Sequence, residues 1–153
     1  MKSLTHSVLL ALTVFLCSCE SNKDKPSGND KAGIPFTLAT NYFVRNDYGD
    51  SVTHLRKLES REAFEQLFGM AATMGPKGKP TSINFDTHYV LACISNNSDK
   101  SIELQAASLA ADQSNILLTC IRKEGPVQSF TSRAALILLV DKHYQGTPQL
   151  QLR

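Results

Sequence analysis

Few residues in this chain are of types that do chemistry, and their spacing limits what they can do. Beyond residue 18 there are three histidines, His54, His88 and His143, and no two of them are at metal-ligand spacing. A zinc site needs three or four converging donors, so no metal and no cofactor are expected. Asp86 and His88 lie two apart, which on a strand puts them on one face and suits a local hydrogen bond. Ser129 and Ser132 lie near Arg133, but a serine nucleophile needs a positioned base and none is identifiable. There is no G-x-S-x-G elbow, no phosphate-binding P-loop and no dinucleotide fingerprint. Cys93 and Cys120 sit in the apolar runs VLACI and LLTCI, surroundings that disfavour a reactive thiolate. Two readings of that pair stand: a disulfide, which needs Cα atoms within about 7 Å, or two buried free thiols. The chain is therefore expected not to be an enzyme.

The other two cysteines, Cys17 and Cys19, close an N-terminal segment with a different logic. Lys2 supplies a positive start, residues 8–16 (VLLALTVFL) are apolar apart from Thr13, and small residues follow. That is the layout of a secretory signal, too short to span a bilayer, which takes roughly 20 apolar residues. The stretch Leu16-Cys17-Ser18-Cys19 resembles a bacterial lipobox. The resemblance implies cleavage before Cys19, which then carries a diacylglyceryl thioether and an acylated amino group. Residues 1–18 are then the lipoprotein signal peptide, and Cys17 is discarded with it. Several acyl chains anchor a protein far more firmly than one. Residues 19–33 read as a flexible tether, since ESNKDKPSGNDKAG offers almost nothing apolar to bury. Glu20 is not the Asp that retains some lipoproteins at the inner membrane, so the expected location is the bacterial envelope, outer membrane rather than inner.

Residues 34–153 are the size of one ordinary domain and need no staple to bury a core. The chain has 16 Lys and Arg against 14 Asp and Glu, a net charge of +2, and losing Lys2 with the signal leaves +1. The basic residues are scattered, only Arg56-Lys57 and Arg122-Lys123 being adjacent, so no nucleic-acid partner is expected.

The elements follow from periodicity and turn chemistry. Residues 35–45 (PFTLATNYFVR) predict a first strand, 46–50 (NDYGD) a turn and 51–58 a second strand. Ser60 is a candidate N-cap with Glu62 behind it. Phe64, Leu67, Phe68 and Ala71 then fall on one helical face, predicting a helix over 61–68 that could extend toward Met74. Residues 75–80 (GPKGKP) end it in a loop. Strands are predicted over 88–95, 102–109, 115–123 and 134–141, the last buried on both faces. Turns are predicted at 96–100, as a hairpin, at 124–126 and at 145–148, with a half-exposed edge strand at 149–152. The expected fold is α+β: mainly antiparallel β, a sandwich or partly closed barrel, with one helix near residues 60–74.

The stretch INFDTHYVLACIS (residues 83–95), two further strands and then GPVQSFTSRAALILLVDK (residues 125–142) resemble the C-terminal domain of the PrcB protease-complex subunit family. The order here is Phe85-Asp86, and residues 96–100 (NNSDK) stand where many members have a glycine-rich turn. The resemblance implies a non-catalytic envelope protein that associates with a protease or another exported complex. The expected function is thus a lipid-anchored accessory or regulatory binding module for another exported protein. Its candidate contact loops are Met74, Gly75, Pro76, Lys77, Gly78, Lys79 and Pro80, together with Gly125, Pro126, Gln128 and Arg133, because loops on a rigid scaffold commonly carry binding. One alternative is a small-ligand carrier whose cavity is lined by Tyr42, Phe43, Phe64, Phe68 and Tyr89. A hydrolase built from dispersed residues is the other.

Overall fold

The structure, a computed structural model, describes residues 33–49, 51–75, 78–112 and 114–153. The signal, the lipidation position Cys19 and nearly all of the tether lie outside them, as do Pro76 and Lys77.

Among the described residues, nine strands and one helix follow in the order β1 (Phe36–Leu38), β2 (Tyr42–Val44), β3 (His54–Leu58), α1 (Arg61–Leu67), β4 (Phe68–Met70), β5 (His88–Ile94), β6 (Ser98–Asp112), β7 (Asn115–Ser132), β8 (Ala135–Asp141) and β9 (Thr147–Leu152). A central sheet of order β1-β8-β5-β3 is antiparallel throughout. A second sheet, β6-β7-β9, pairs β6 with β7 antiparallel and adds β9 to β7 in parallel. Strands β2 and β4 form a two-stranded ribbon. The fold is a β-rich α+β sandwich and not a closed barrel.

Side-chain alternation builds the layers. On β5 and β8, Tyr89, Leu91, Cys93, Leu136, Leu138 and Val140 meet Leu109, Ile116, Leu118 and Cys120 of the second sheet. The intervening Val90, Ala92, Ile94, Ile137 and Leu139 face the opposite way, onto Phe64, Phe68, Val44 and Ile83. Both faces of the central sheet are covered, so β5 and β8 read as continuous apolar runs, as predicted for residues 134–141. β9 is an edge strand with alternating exposure, also as predicted.

Four sequence expectations are corrected. The predicted first strand is two, because Asn41 takes a left-handed conformation (φ 64°) that sends β1 into the central sheet and β2 into the ribbon. Asn is among the few non-glycine residues that tolerate it. The helix does not run toward Met74. Ser60 caps it through Oγ, accepting from Ala63 N at 3.2 Å, and Phe68 leaves it in extended conformation to pair with Val44. Residues 96–100 are no hairpin, since β5 pairs only with β3 and β8; they carry the chain across to the second sheet, where β6 begins at Ser98.

The fourth correction concerns residues 124–126. They are not a turn but lie within the 18-residue β7. Lys100 pairs with Val127 and Ile102 with Glu124, so Gly125 and Pro126 together stand opposite Ser101 in a bulge. Proline has no N–H to give the ladder, and a bulge is where a sheet accepts it. Another irregularity, between Ala106 and Ser108, makes Ala107 the extra residue and resets the phase of β6, which explains the poor alternation of residues 102–109.

Candidate functional site

An open cavity of about 780 Å³ lies on the face of the central sheet covered by the helix and the ribbon. Its floor is aromatic and centres on Phe64. Tyr42 meets that ring edge-on at 5.0 Å between centroids, Phe68 stacks at 4.9 Å, and Phe85 lies at 6.0 Å. The edge-on and tilted arrangements are those that aromatic quadrupoles favour. Three neighbouring choices of the chain create this floor: the helix turns Phe64 inward, its early stop turns Phe68 under the ribbon, and residues 79–83 close the far wall. That wall is tied to the ribbon by Tyr42 Oη donating to Thr81 O at 2.7 Å, Thr40 N to Thr81 Oγ1 at 3.0 Å, and Asn41 Nδ2 to Lys79 O at 2.9 Å. Burial raises the Tyr42 pKa, outweighing the nearby Arg61 charge, so its hydroxyl keeps the proton that it donates.

The rim is partly apolar and mostly cationic. Phe43 and Met70 are large apolar side chains left 47% and 64% exposed. Among the described residues, Arg45, Arg61 and Lys79 line the cavity, against the single carboxylate of Glu65. Arg45 Nε donates to the backbone carbonyl of Glu65 at 3.1 Å, and Arg61 Nη1 stands 3.8 Å from Glu65 Oε1.

A second, smaller cavity of about 360 Å³ adjoins at Arg45 and is lined by polar residues including Asn97, Thr131 and Arg133. Arg133 lies over the Tyr48 ring at 5.3 Å and donates to the Tyr48 carbonyl oxygen.

The predicted contact residues divide between these features. Lys79 and Pro80 line the aromatic cavity, while Met74 and Gly75 are exposed and line neither cavity. Gly78 is buried, and a side chain there would meet the Thr73 carbonyl at 1.8 Å, so only glycine lets this loop fold back. Gly125, Pro126 and Gln128 are strand residues and line neither cavity; Arg133, just past β7, reaches the smaller one. Of the aromatics expected to line a ligand cavity, Tyr42, Phe43, Phe64 and Phe68 do so. Tyr89 does not, because it points to the opposite face of the central sheet, under Lys57 Nζ at 4.7 Å from its ring. Phe85, Ile83 and the arginines were missed as lining residues. The I-x-F spacing at Ile83 and Phe85, two apart and hence on one side of an extended segment, was the available signal.

The histidines stay apart. His54 contacts Tyr48 Oη and the Val52 carbonyl, His88 contacts Thr87 Oγ1 at 2.8 Å, and the His143 ring packs on Tyr144. No histidine among the described residues lines either cavity. Among the described residues no three of His, Cys, Asp and Glu gather as metal ligands. Cys93 and Cys120 are buried, unbridged thiols in the same core layer, one on each of the two facing sheets, and Cys120 Sγ donates to the Ile121 carbonyl at 3.7 Å. Burial pushes Cys93 up to about 12 and also raises Cys120, so neither is a thiolate nucleophile at neutral pH. Among the described residues no helix is long and apolar enough to cross a membrane. Comparison with protein-family models, curated proteins and solved structures finds no significant match.

Proposed function

We propose that this chain is a non-catalytic binding module of the bacterial envelope, held to a membrane by lipid on Cys19, which engages its partner in the aromatic cavity. One observation carries this reading: a preformed concave site, aromatic inside and cationic at the rim, with Phe43 and Met70 left uncovered at its lip. Its volume falls within the roughly 300–1,000 Å³ of ordinary ligand sites. The lipobox resemblance supports the anchor and the envelope location, with the outer membrane favoured by Glu20. The PrcB-like stretch supports an accessory role beside another exported protein, such as a protease. It also contributes Ile83 and Phe85 to the cavity wall.

A photo-crosslinking residue placed at Met70 in the native envelope tests this. Adducts are expected there and not at Glu103, an exposed position on β6. Equal adducts at both positions, or none at Met70, would remove the cavity as the binding site.

A further inference from the structure

The cavity's chemistry also constrains its occupant. An aromatic floor gives an apolar chain contacts but little direction. Direction comes from the rim, where, among the described residues, Arg45, Arg61 and Lys79 oppose one carboxylate, Glu65. That carboxylate is no strong counterion. Its closest approach to Arg61 is 3.8 Å, and the two side chains are 54% and 61% exposed, the kind of pair that contributes little. Lys79 makes no side-chain ion pair among the described residues. The rim therefore carries net positive charge directly above apolar surface, with planar guanidinium groups suited to carboxylate.

We propose that the cavity binds an anionic amphiphile: an acyl chain laid against Phe64, Phe68 and Phe85, with its carboxylate at Arg61, Lys79 and Arg45. This rests on the reading of the cavity as the binding site. Gly69 shapes the lip that the chain passes. A Cβ there would stand 2.4 Å from Phe43 Cζ, so any side chain displaces the Phe43 ring from where it lies.

The test uses residues 19–153 with Cys19→Ala, which removes the lipid and with it any need for detergent. A dansyl-labelled undecanoic acid is the probe, displaced by octanoate, decanoate, dodecanoate and dodecanol. Each added methylene is expected to tighten binding by up to about fourfold, the ratio that corresponds to about 0.8 kcal/mol per buried CH₂. Dodecanoate should outcompete dodecanol at least about tenfold, as a charge-assisted contact of about 1.5–3 kcal/mol allows. In Arg61→Gln/Lys79→Gln that preference should collapse while dodecanol binding persists; both residues are exposed, so the fold is kept, and an unchanged thermal midpoint verifies it. Gly69→Val should weaken acid and alcohol alike. Equal displacement by acid and alcohol would overturn the proposal, and so would probe displacement by an apolar peptide with a free carboxyl terminus at lower concentration than dodecanoate. No displacement at all, with photo-adducts at Met70 still forming, would overturn it too and leave the cavity as a protein-binding surface.

Discussion

The two buried thiols give the sharpest quantitative test of the sandwich. Cys93 stands on β5 opposite Leu55 and Leu136, Cys120 on β7 opposite Ala106 and Leu152, and both are fully buried. Joining them would tie one sheet to the other and close a loop of 28 residues, counting both cysteines. In the chain-entropy treatment a loop of that size lowers the entropy of the unfolded chain by about 12 cal/mol/K, or roughly 3.6 kcal/mol at 25 °C. Native strain subtracts from this. Facing sheets lie about 10 Å apart on average, whereas bridged Cα atoms lie at about 4.4–6.8 Å, so the layers must already be close, or move closer, at this point. A net gain of about 2–3.5 kcal/mol is expected on refolding in an oxidising glutathione buffer. In a domain of this size that raises the melting midpoint by roughly 6–15 °C, read by thermal denaturation of oxidised and reduced samples. Peptide mapping without reductant should show the 93–120 crosslink. Alkylation of both thiols after oxidative refolding, or a crosslinked protein that melts no higher than the reduced one, would refute the facing geometry from which the gain is worked.

Other perturbations follow from single contacts. Ser60→Ala removes the Oγ that accepts from Ala63 N and should cost about 1 kcal/mol in urea unfolding, whereas Ser60→Gly should cost only a few tenths. Leu138→Ala, at the centre of the layer between the two sheets, should cost about 3–5 kcal/mol, and a loss under about 1 kcal/mol would contradict the packing assigned to β8. Cys19→Ala should abolish fatty-acid labelling and release the protein from the membrane fraction or leave its precursor uncleaved, while Cys17→Ala should do neither; label retained by the Cys19 variant would end the lipoprotein reading. In alkali the reduced protein should lose stability from about pH 9, because Cys93 ionises near its ordinary 9.0 when unfolded but only at about 12 when folded, so the unfolded chain alone releases the proton across that window. Tyr89, ordinarily 10.0 and likewise about 12 when folded, adds to the loss from pH 10; the crosslinked protein should show only this later loss, which a pH series of urea midpoints would resolve.

The parts of the fold legible in the sequence are those where local pattern and tertiary burial agree. Residues 134–141 are too apolar for a one-faced strand, and the structure supplies a covering layer on each side of β8. The helix over Arg61–Leu67 was legible from Ser60, Glu62 and the inward spacing of Phe64. What failed were places where two pulls oppose each other. Periodicity alone would carry the helix past Phe68, yet extending Phe68 buries its ring and gives its backbone a partner in Val44, and that combination wins. Glu124-Gly125-Pro126 has every local mark of a turn. It stays in β7 because the strand is paired on both sides of it, and a bulge absorbs the residues that cannot join the ladder.

The cavity was half legible for a related reason. Four of its aromatics could be named as cavity residues, but assigning Tyr89 to the same group required knowing which face of β5 it occupies. Register decides that: on a strand buried on both sides, Tyr89 and Val90 look equally internal, and only the pairing with β8 and the layer beyond it separates them. Of the rim, only Lys79 was legible, as part of the predicted contact loop, and the arginines were hidden for a different reason. Arg45, Arg61 and Lys79 come from three separate segments, the residue after β2, the start of α1 and the loop before Thr81, and each arginine alone reads as an ordinary surface cation. They converge because Asn41 breaks the first strand, because the helix stops at Leu67 and because the Thr81 segment folds back on the ribbon. Two of these three events also misled the reading of the elements, and together the three assemble the cationic lip, so a change that straightened any one of them should scatter the lip before it touched the sandwich core. Asn41→Val tests this most directly. The β-branched side chain disfavours the left-handed conformation at a cost of about 1–2 kcal/mol. It should weaken amphiphile binding more than tenfold while the central sheet keeps its amide-exchange protection, and equal loss of protection in β5 and in the ribbon would show that lip and core are one unit.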